Sequence, residues 1–119
     1  MVTVVDDDVS VRESLDNLLA EFGYSVGAFS SAEEFLASDW IGRTGCLILD
    51  IALPAMFGPE LQRELNERKQ LIPIIYITAL EDERLHAQVI REGAVECLVK
   101  PFSETALIEA LQRAGAQPS

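Results

Sequence analysis

The 119-residue chain carries 49% hydrophobic and 24% charged residues, an ordinary balance for a single globular domain. It is long enough to bury about two-thirds of its unfolded surface without a disulfide or metal staple. Twenty Asp and Glu face nine Lys and Arg, a formal net charge of −11, which argues against binding to nucleic acid or an anionic membrane and suits a divalent cation or a basic partner.

Met1-Val2-Thr3-Val4-Val5-Asp6 meets an acid without any basic stretch, unlike a secretory signal, and no apolar run approaches the length of a membrane span. Val2–Val5 is the first of five short apolar runs, and Asp6-Asp7-Asp8 follow it, with Asp8 placed to cap a helix. Ser10-Val-Arg-Glu13 reads as a capping box, and Val11, Leu15, Leu18, Leu19 and Phe22 form an apolar stripe that Gly23 stops. The second run is Ser25–Phe29, and Ser31-Ala-Glu-Glu34 starts a second, shorter helix. The third run, Cys46–Leu49, ends at Asp50. Gly58-Pro59 opens a third helix with proline at its start and Leu61 and Leu65 facing in. Ile74–Ile77 is followed by Thr78 and Ala79. Leu85, Val89 and Ile90 stripe a fourth helix that Gly93 ends. Val95–Val99 leads into Lys100-Pro101. Ser103 caps a fifth helix with Leu107, Ile108 and Leu111 facing in. Residues 115–119 read as a tail or the start of a linker, leaving 1–114 as the domain.

Strands alternating with helices across short connections predict an α/β fold: a doubly wound five-stranded parallel sheet, order 2-1-3-4-5, with five flanking helices. The near-continuous Val, Ile and Leu runs fit strands buried on both faces. Cys46 and Cys97 lie inside apolar runs without CxxC spacing and read as small hydrophobes in a reducing, cytoplasmic setting. The single His86 has no neighbouring His or Cys and reads as a helix-surface residue rather than a zinc ligand.

Ligands of such sheets bind beyond the carboxyl ends of the strands. Four strand ends here deliver Asp6, Asp7 and Asp8, then Asp50, Thr78 and Lys100 to one edge. Two carboxylates about 4 Å apart repel by about 4 kcal/mol at an effective dielectric near 20. Lys100 supplies one positive charge, and Mg²⁺ suits the remainder, a site of few carboxylates. Mg²⁺ also suits phosphoryl chemistry. Asp50 is the candidate nucleophile, because a carboxylate can attack phosphorus and has no proton to lose. Thr78 would donate to one phosphoryl oxygen and Lys100 would pair with another. A cis Lys100-Pro101 bond would aim the lysine.

Val5-Asp6-Asp7-Asp8, Leu49-Asp50-Ile51-Ala52-Leu53-Pro54 with Gly58 following, Ile77-Thr78-Ala79 and Val99-Lys100-Pro101-Phe102, in this order, resemble the CheY-like receiver domains of bacterial two-component response regulators. Because CheY is itself a standard example of the 2-1-3-4-5 order, sheet order and family are not independent expectations. Val11-Arg-Glu-Ser-Leu15 and Ser31-Ala-Glu-Glu-Phe35 are most similar to the FixJ/LuxR-type branch, whose receivers precede helix-turn-helix domains. The resemblance implies a phosphorylation-dependent signalling switch rather than an enzyme with an external substrate. Asp50 matches the phosphoacceptor, charged by a sensor histidine kinase or phosphotransfer protein. Asp6, Asp7, Asp50 and the Ala52 backbone carbonyl match the Mg²⁺ ligands, Thr78 the switch hydroxyl and Lys100 the lysine that contacts the phosphoryl group. It further implies remodelling of the face made by the fourth helix, fifth strand and fifth helix. That face would then control homodimerisation or an output domain, with any DNA binding left to a domain that follows.

Three positions depart from the family pattern. Cys97 stands where many receivers carry an aromatic switch residue, Leu53 stands where Met is commoner, and Met56-Phe57 replace a more polar pair. A haloacid-dehalogenase-type phosphatase would need a second acid at Ala52, and a flavodoxin-like carrier would not place three carboxylates where its cofactor phosphate binds. Cys97 leaves one alternative, a pseudo-receiver interaction module not regulated by phosphorylation.

Overall fold

A computed structural model describes residues 1–118 of the chain; Ser119, the last residue of the expected tail, lies outside the described residues. Five parallel strands, β1 (Val2–Val5), β2 (Val26–Phe29), β3 (Cys46–Asp50), β4 (Ile74–Thr78) and β5 (Glu96–Val99), form one sheet in the order β2-β1-β3-β4-β5. Five helices join them: α1 (Val9–Glu21), α2 (Ala32–Leu36), α3 (Gly58–Glu67), α4 (Glu83–Arg91) and α5 (Glu104–Arg113). This is the expected doubly wound fold. Every residue of β1, β3 and β4 is buried, whereas β2 and β5 are largely half-exposed. The three central strands are therefore the runs richest in Val, Ile and Leu, and the edges tolerate Gly27, Ala28 and Glu96.

Side-chain alternation splits the interior in two. On one face Val5, Leu47, Leu49, Ile74 and Tyr76 pack with Phe35 of α2, Leu61 and Leu65 of α3 and Val89 of α4. On the other, Val2, Val4, Cys46, Ile48, Ile75 and Ile77 pack with Leu15 and Leu19 of α1 and Leu107, Ala110 and Leu111 of α5.

Local corrections follow from packing and capping. The cap of α1 is Asp8, whose carboxylate accepts the Ser10 N–H at 2.8 Å, so Ser10 lies inside the helix and the Ser10–Glu13 capping box does not form. An aspartate two residues earlier reaches the free N–H groups first and adds a charge that the helix dipole favours. Strands β3 and β4 run one residue past their apolar runs, taking in Asp50 and Thr78, while β2 and β5 begin one residue late, at Val26 and Glu96. Phe22, the C-cap of α1, and Ile90, next to the last residue of α4, end their apolar stripes with 43% of their surface exposed. Ser31 and Ser103 cap α2 and α5 as expected. A 3₁₀ helix over Asp39–Arg43, capped by Ser38, has no counterpart in the sequence reading because five residues are too few to show a period. Ala114 and Ala116 pack against the α1/α5 side of the core, and the Ala116 N–H donates to the Leu111 carbonyl at 3.0 Å.

Cys46 is buried, with its thiol pushed up to about 12 by burial; Cys97 is half-buried, with its thiol pushed up to about 11 by burial and then by the charge of Glu96. Both stay protonated at neutral pH, as expected of small hydrophobes. Leu53 is buried in the core and Met56 and Phe57 pack partly buried against it, which makes the loop before α3 an extension of the core. His86 lies on α4 with its ring Nε2 2.8 Å from the Leu80 carbonyl oxygen.

Candidate functional site

The sheet register assembles the site. Val5 of β1 lies opposite Leu49 of β3, so the next residues, Asp6 and Asp50, emerge side by side. Thr78 ends β4 opposite Val99 of β5, and the Lys100 N–H donates to the Thr78 carbonyl at 2.7 Å. Oxygens of Asp6, Asp7 and Asp50 all lie within 4.8 Å of one another.

Asp6 is fully buried and Asp50 is 7% exposed, while Asp7 opens to solvent. Buried carboxylates need a counter-charge and donors. Lys100 provides the first: its Nζ lies 3.0 Å from Asp6 Oδ2 and 3.4 Å from Asp50 Oδ2. Backbone provides the second, since the Asp8 N–H donates to Asp6 Oδ1 at 2.9 Å and the Ala52 N–H to Asp50 Oδ1 at 3.1 Å. The two anchored carboxylates thus face one another across the lysine. The Lys100–Pro101 bond is cis.

Burial, then the charge of Asp6, raises the Asp50 carboxyl above its ordinary range against the pull of Lys100 and the Ala52 N–H. For Lys100, burial acts to lower the ammonium, but contact with Asp6 and Asp50 outweighs it and holds the group above its ordinary value. Three carboxylates around one ammonium leave an excess of two negative charges. The donors are hard oxygens on a partly open rim, a set that fits Mg²⁺.

Every expected side chain reaches this edge, but Thr78 is not engaged with the carboxylates. Its buried hydroxyl oxygen accepts the Leu80 N–H at 3.0 Å, which shapes the turn between β4 and α4. Asp8 is a helix cap and stands outside the cluster.

Arg12 was missed. From the first turn of α1 its guanidinium Nη1 donates to the Asp6 carbonyl at 2.7 Å, bracing the backbone that carries the buried carboxylate. A signal existed: Arg12 is the only Lys or Arg among the first 42 residues, and it follows three aspartates.

The rim loop between β3 and α3 carries a backbone outlier. Ala55 has φ 66°, and the Met56 N–H donates to the Pro54 carbonyl at 2.7 Å, a tight turn in the left-handed region. Replacing Ala55 with glycine relieves the Cβ clash at some entropic cost, so Ala55→Gly should stabilise the fold by about 0.5–1 kcal/mol. Urea unfolding would read this as a higher midpoint with an unchanged slope.

Residues 2–112 match the response regulator receiver domain family. Among curated relatives, the chain is 40% identical over 114 residues to the response regulator protein TodT of Pseudomonas putida, covering 96% of this chain and 50% of TodT. It is 42% identical over 113 residues to the transcriptional regulatory protein FixJ of Rhizobium meliloti, covering 95% of this chain and 55% of FixJ. Among solved structures, the response regulator StyR superposes with a TM-score of 0.88 at 44% identity, over 95% of this chain and 57% of StyR. The chain therefore spans about half the length of the curated relatives it matches. With the fold, the strand-end acids and the lysine accounted for, the chain belongs to the response regulator receiver domain family.

Proposed function

We propose that this chain is a phosphorylation-dependent switch in which Asp50 is the phosphoacceptor. The reading is supported above all by Lys100, whose ammonium bridges buried Asp6 and nearly buried Asp50 at the shared edge of β1, β3 and β5. In the transfer, an ionised Asp50 oxygen attacks phosphorus, the bond between phosphorus and the donor's histidine nitrogen breaks, and the nitrogen keeps the electron pair. Lys100, already beside Asp50 Oδ2, is placed to turn from its carboxylate partners to the new phosphoryl oxygens. The Thr78 hydroxyl would leave the Leu80 N–H to donate to another. Asp6, Asp7, Asp50 and the Ala52 carbonyl would hold Mg²⁺, which when bound supplies neutralisation of the phosphoryl charge.

The donor is a sensor histidine kinase or a phosphotransfer protein in the cytoplasm, and the output is a changed α4–β5–α5 face that controls self-association or a following domain. Residues 1–114 form the switch and 115–119 the tail or the start of a linker. In a longer chain a DNA-binding domain is the output most in keeping with relatives named as transcriptional regulatory proteins.

Intact mass after incubation with acetyl phosphate tests this: one phosphoryl adduct is expected with Mg²⁺ and little or none with a chelator. Mg²⁺ at about 100 times its Kd should also stabilise the fold by about 2.7 kcal/mol, a rise of about 10 °C in Tm, read by thermal unfolding. A folded, Mg²⁺-binding protein that forms no adduct would instead favour an interaction module not regulated by phosphorylation.

A further inference from the structure

A chain of two hydrogen bonds, one buried and one partly buried, runs from the sheet to the far end of α4. Tyr76, fully buried in the middle of β4, donates its phenol O–H to Gln62 Oε1 at 2.7 Å. Gln62 lies on α3 and is 2% exposed. Its Nε2 donates to the Glu92 carbonyl at 3.0 Å. Glu92 is the C-cap of α4, so the amide satisfies one of the carbonyls that a helix leaves open at its C-terminus. The two links join β4, α3 and the end of α4 and use no solvent-facing side chain.

The other end of this chain touches the Asp50 loop. A Cβ on Gly58 would lie 3.0 Å from the Asp50 carbonyl oxygen, 3.0 Å from Ile51 Cα and 3.0 Å from Tyr76 Cε1. The Asp50–Ile51 backbone, the start of α3 and the Tyr76 ring thus meet at a point where only a hydrogen fits. The Gly58 N–H donates to the Ile51 carbonyl at 2.9 Å, which fastens α3 to that backbone. A shift of the Asp50–Ile51 backbone cannot be absorbed there by empty space. Cys97, which lies opposite Tyr76 in the register, makes no side-chain hydrogen bond among the described residues. The N-terminal end of α4 is held separately, by the Asp82 cap and by His86 on the Leu80 carbonyl.

We infer that Tyr76 is a positioning residue that, through Gln62, couples the Asp50 loop to the C-terminal end of α4. The inference rests on the phosphoacceptor reading of Asp50. A change at Asp50 is carried by ring contact and two hydrogen bonds to the last turn of α4, independently of the β4–α4 loop that Thr78 shapes.

The test is amide hydrogen exchange on the full chain, with and without Mg²⁺ and beryllofluoride, which occupies a carboxylate as a phosphoryl group would. Wild type, Tyr76→Phe and Gln62→Leu are compared, the second variant guarding against a folding defect in the first. The reporters are the N–H groups of Glu92, Gly93 and Ala94, which donate to the Gln88, Ile90 and Val89 carbonyls. Both variants should exchange these amides about fivefold faster than wild type without ligand. Beryllofluoride should alter them in wild type and leave them unaltered in both variants, while the Ile51 and Gly58 amides respond in all three. A purely structural role would speed exchange but leave the beryllofluoride response of residues 92–94 in place, and that result overturns the coupling. So does a wild type whose Ile51 and Gly58 amides respond while residues 92–94 do not. A wild type that binds no beryllofluoride at any amide removes the phosphoacceptor reading, and the coupling with it.

Discussion

Asp50→Asn should carry no phosphoryl group after incubation with acetyl phosphate and Mg²⁺, under conditions that modify wild type. The amide oxygen of asparagine can still accept the Ala52 N–H that now reaches Asp50 Oδ1 at 3.1 Å, so the loop is kept. What is lost is the anionic oxygen that attacks phosphorus. Stability gives an independent reading of the same substitution. The folded chain holds the Asp50 carboxyl above its ordinary range, first by burial and then through Asp6. Folding therefore disfavours the ionised form, and wild type gains from this group as pH falls from neutral through the raised value. Asp50→Asn should be the more stable protein at neutral pH without Mg²⁺, with the difference shrinking on acidification. Lys100→Ala separates binding from response. It removes the ammonium that contacts both Asp6 and Asp50, so Mg²⁺ binding should survive largely intact while phosphoryl uptake slows. Wild-type uptake in both variants would mean that the acceptor and its lysine have been misassigned.

Gly58→Ala should lower stability by about 2–3 kcal/mol, although the change adds one methyl group to a residue at the start of a helix. Two of the atoms the methyl would meet at 3.0 Å are backbone, the Asp50 carbonyl oxygen and Ile51 Cα, and the third belongs to the Tyr76 ring. None is the free end of a flexible side chain, so α3 or the Asp50 loop must shift. The shift displaces the acceptor, and phosphoryl uptake should slow by about tenfold, since misplacement on the scale of an ångström is costly in transfer reactions. Gly42→Ala is the matched control. Beyond its chain neighbours and the local helix backbone, nothing lies within 4 Å of its Cβ position, and it should stay within about 0.5 kcal/mol of wild type. Equal denaturation midpoints for the two variants would show that the loop has room that the packing denies.

The candidate site was legible because a parallel α/β order converts chain position into place. Each strand must end at the same edge, so Asp6, Asp50, Thr78 and Lys100 could be assigned to one cleft from the runs that precede them. Family likeness added a role for each. Less legible were features that depend on which of two nearby groups reaches a partner first. Of the two caps the sequence offered for α1, Asp8 takes the place and the Ser10–Glu13 capping box does not form, and the Thr78 hydroxyl accepts the Leu80 N–H in place of a site contact. Arg12 was given no role of its own, because an arginine bound to a carbonyl leaves no period in the pattern.

Sequence by itself determined the five strand–helix units, the sheet order and the identity of the acids and the lysine at its carboxyl edge. Those follow from hydrophobic periodicity and connection length, which are local properties of the chain. Only the tertiary structure decided that Lys100 bridges Asp6 and Asp50, that Tyr76, Gln62 and Glu92 form one hydrogen-bonded line, and that Gly58 leaves room for a hydrogen alone. Each joins residues from different elements, separated by 14 to 94 positions for the hydrogen bonds. Such contacts depend on distances of a few tenths of an ångström that close packing sets and no spacing along the chain encodes.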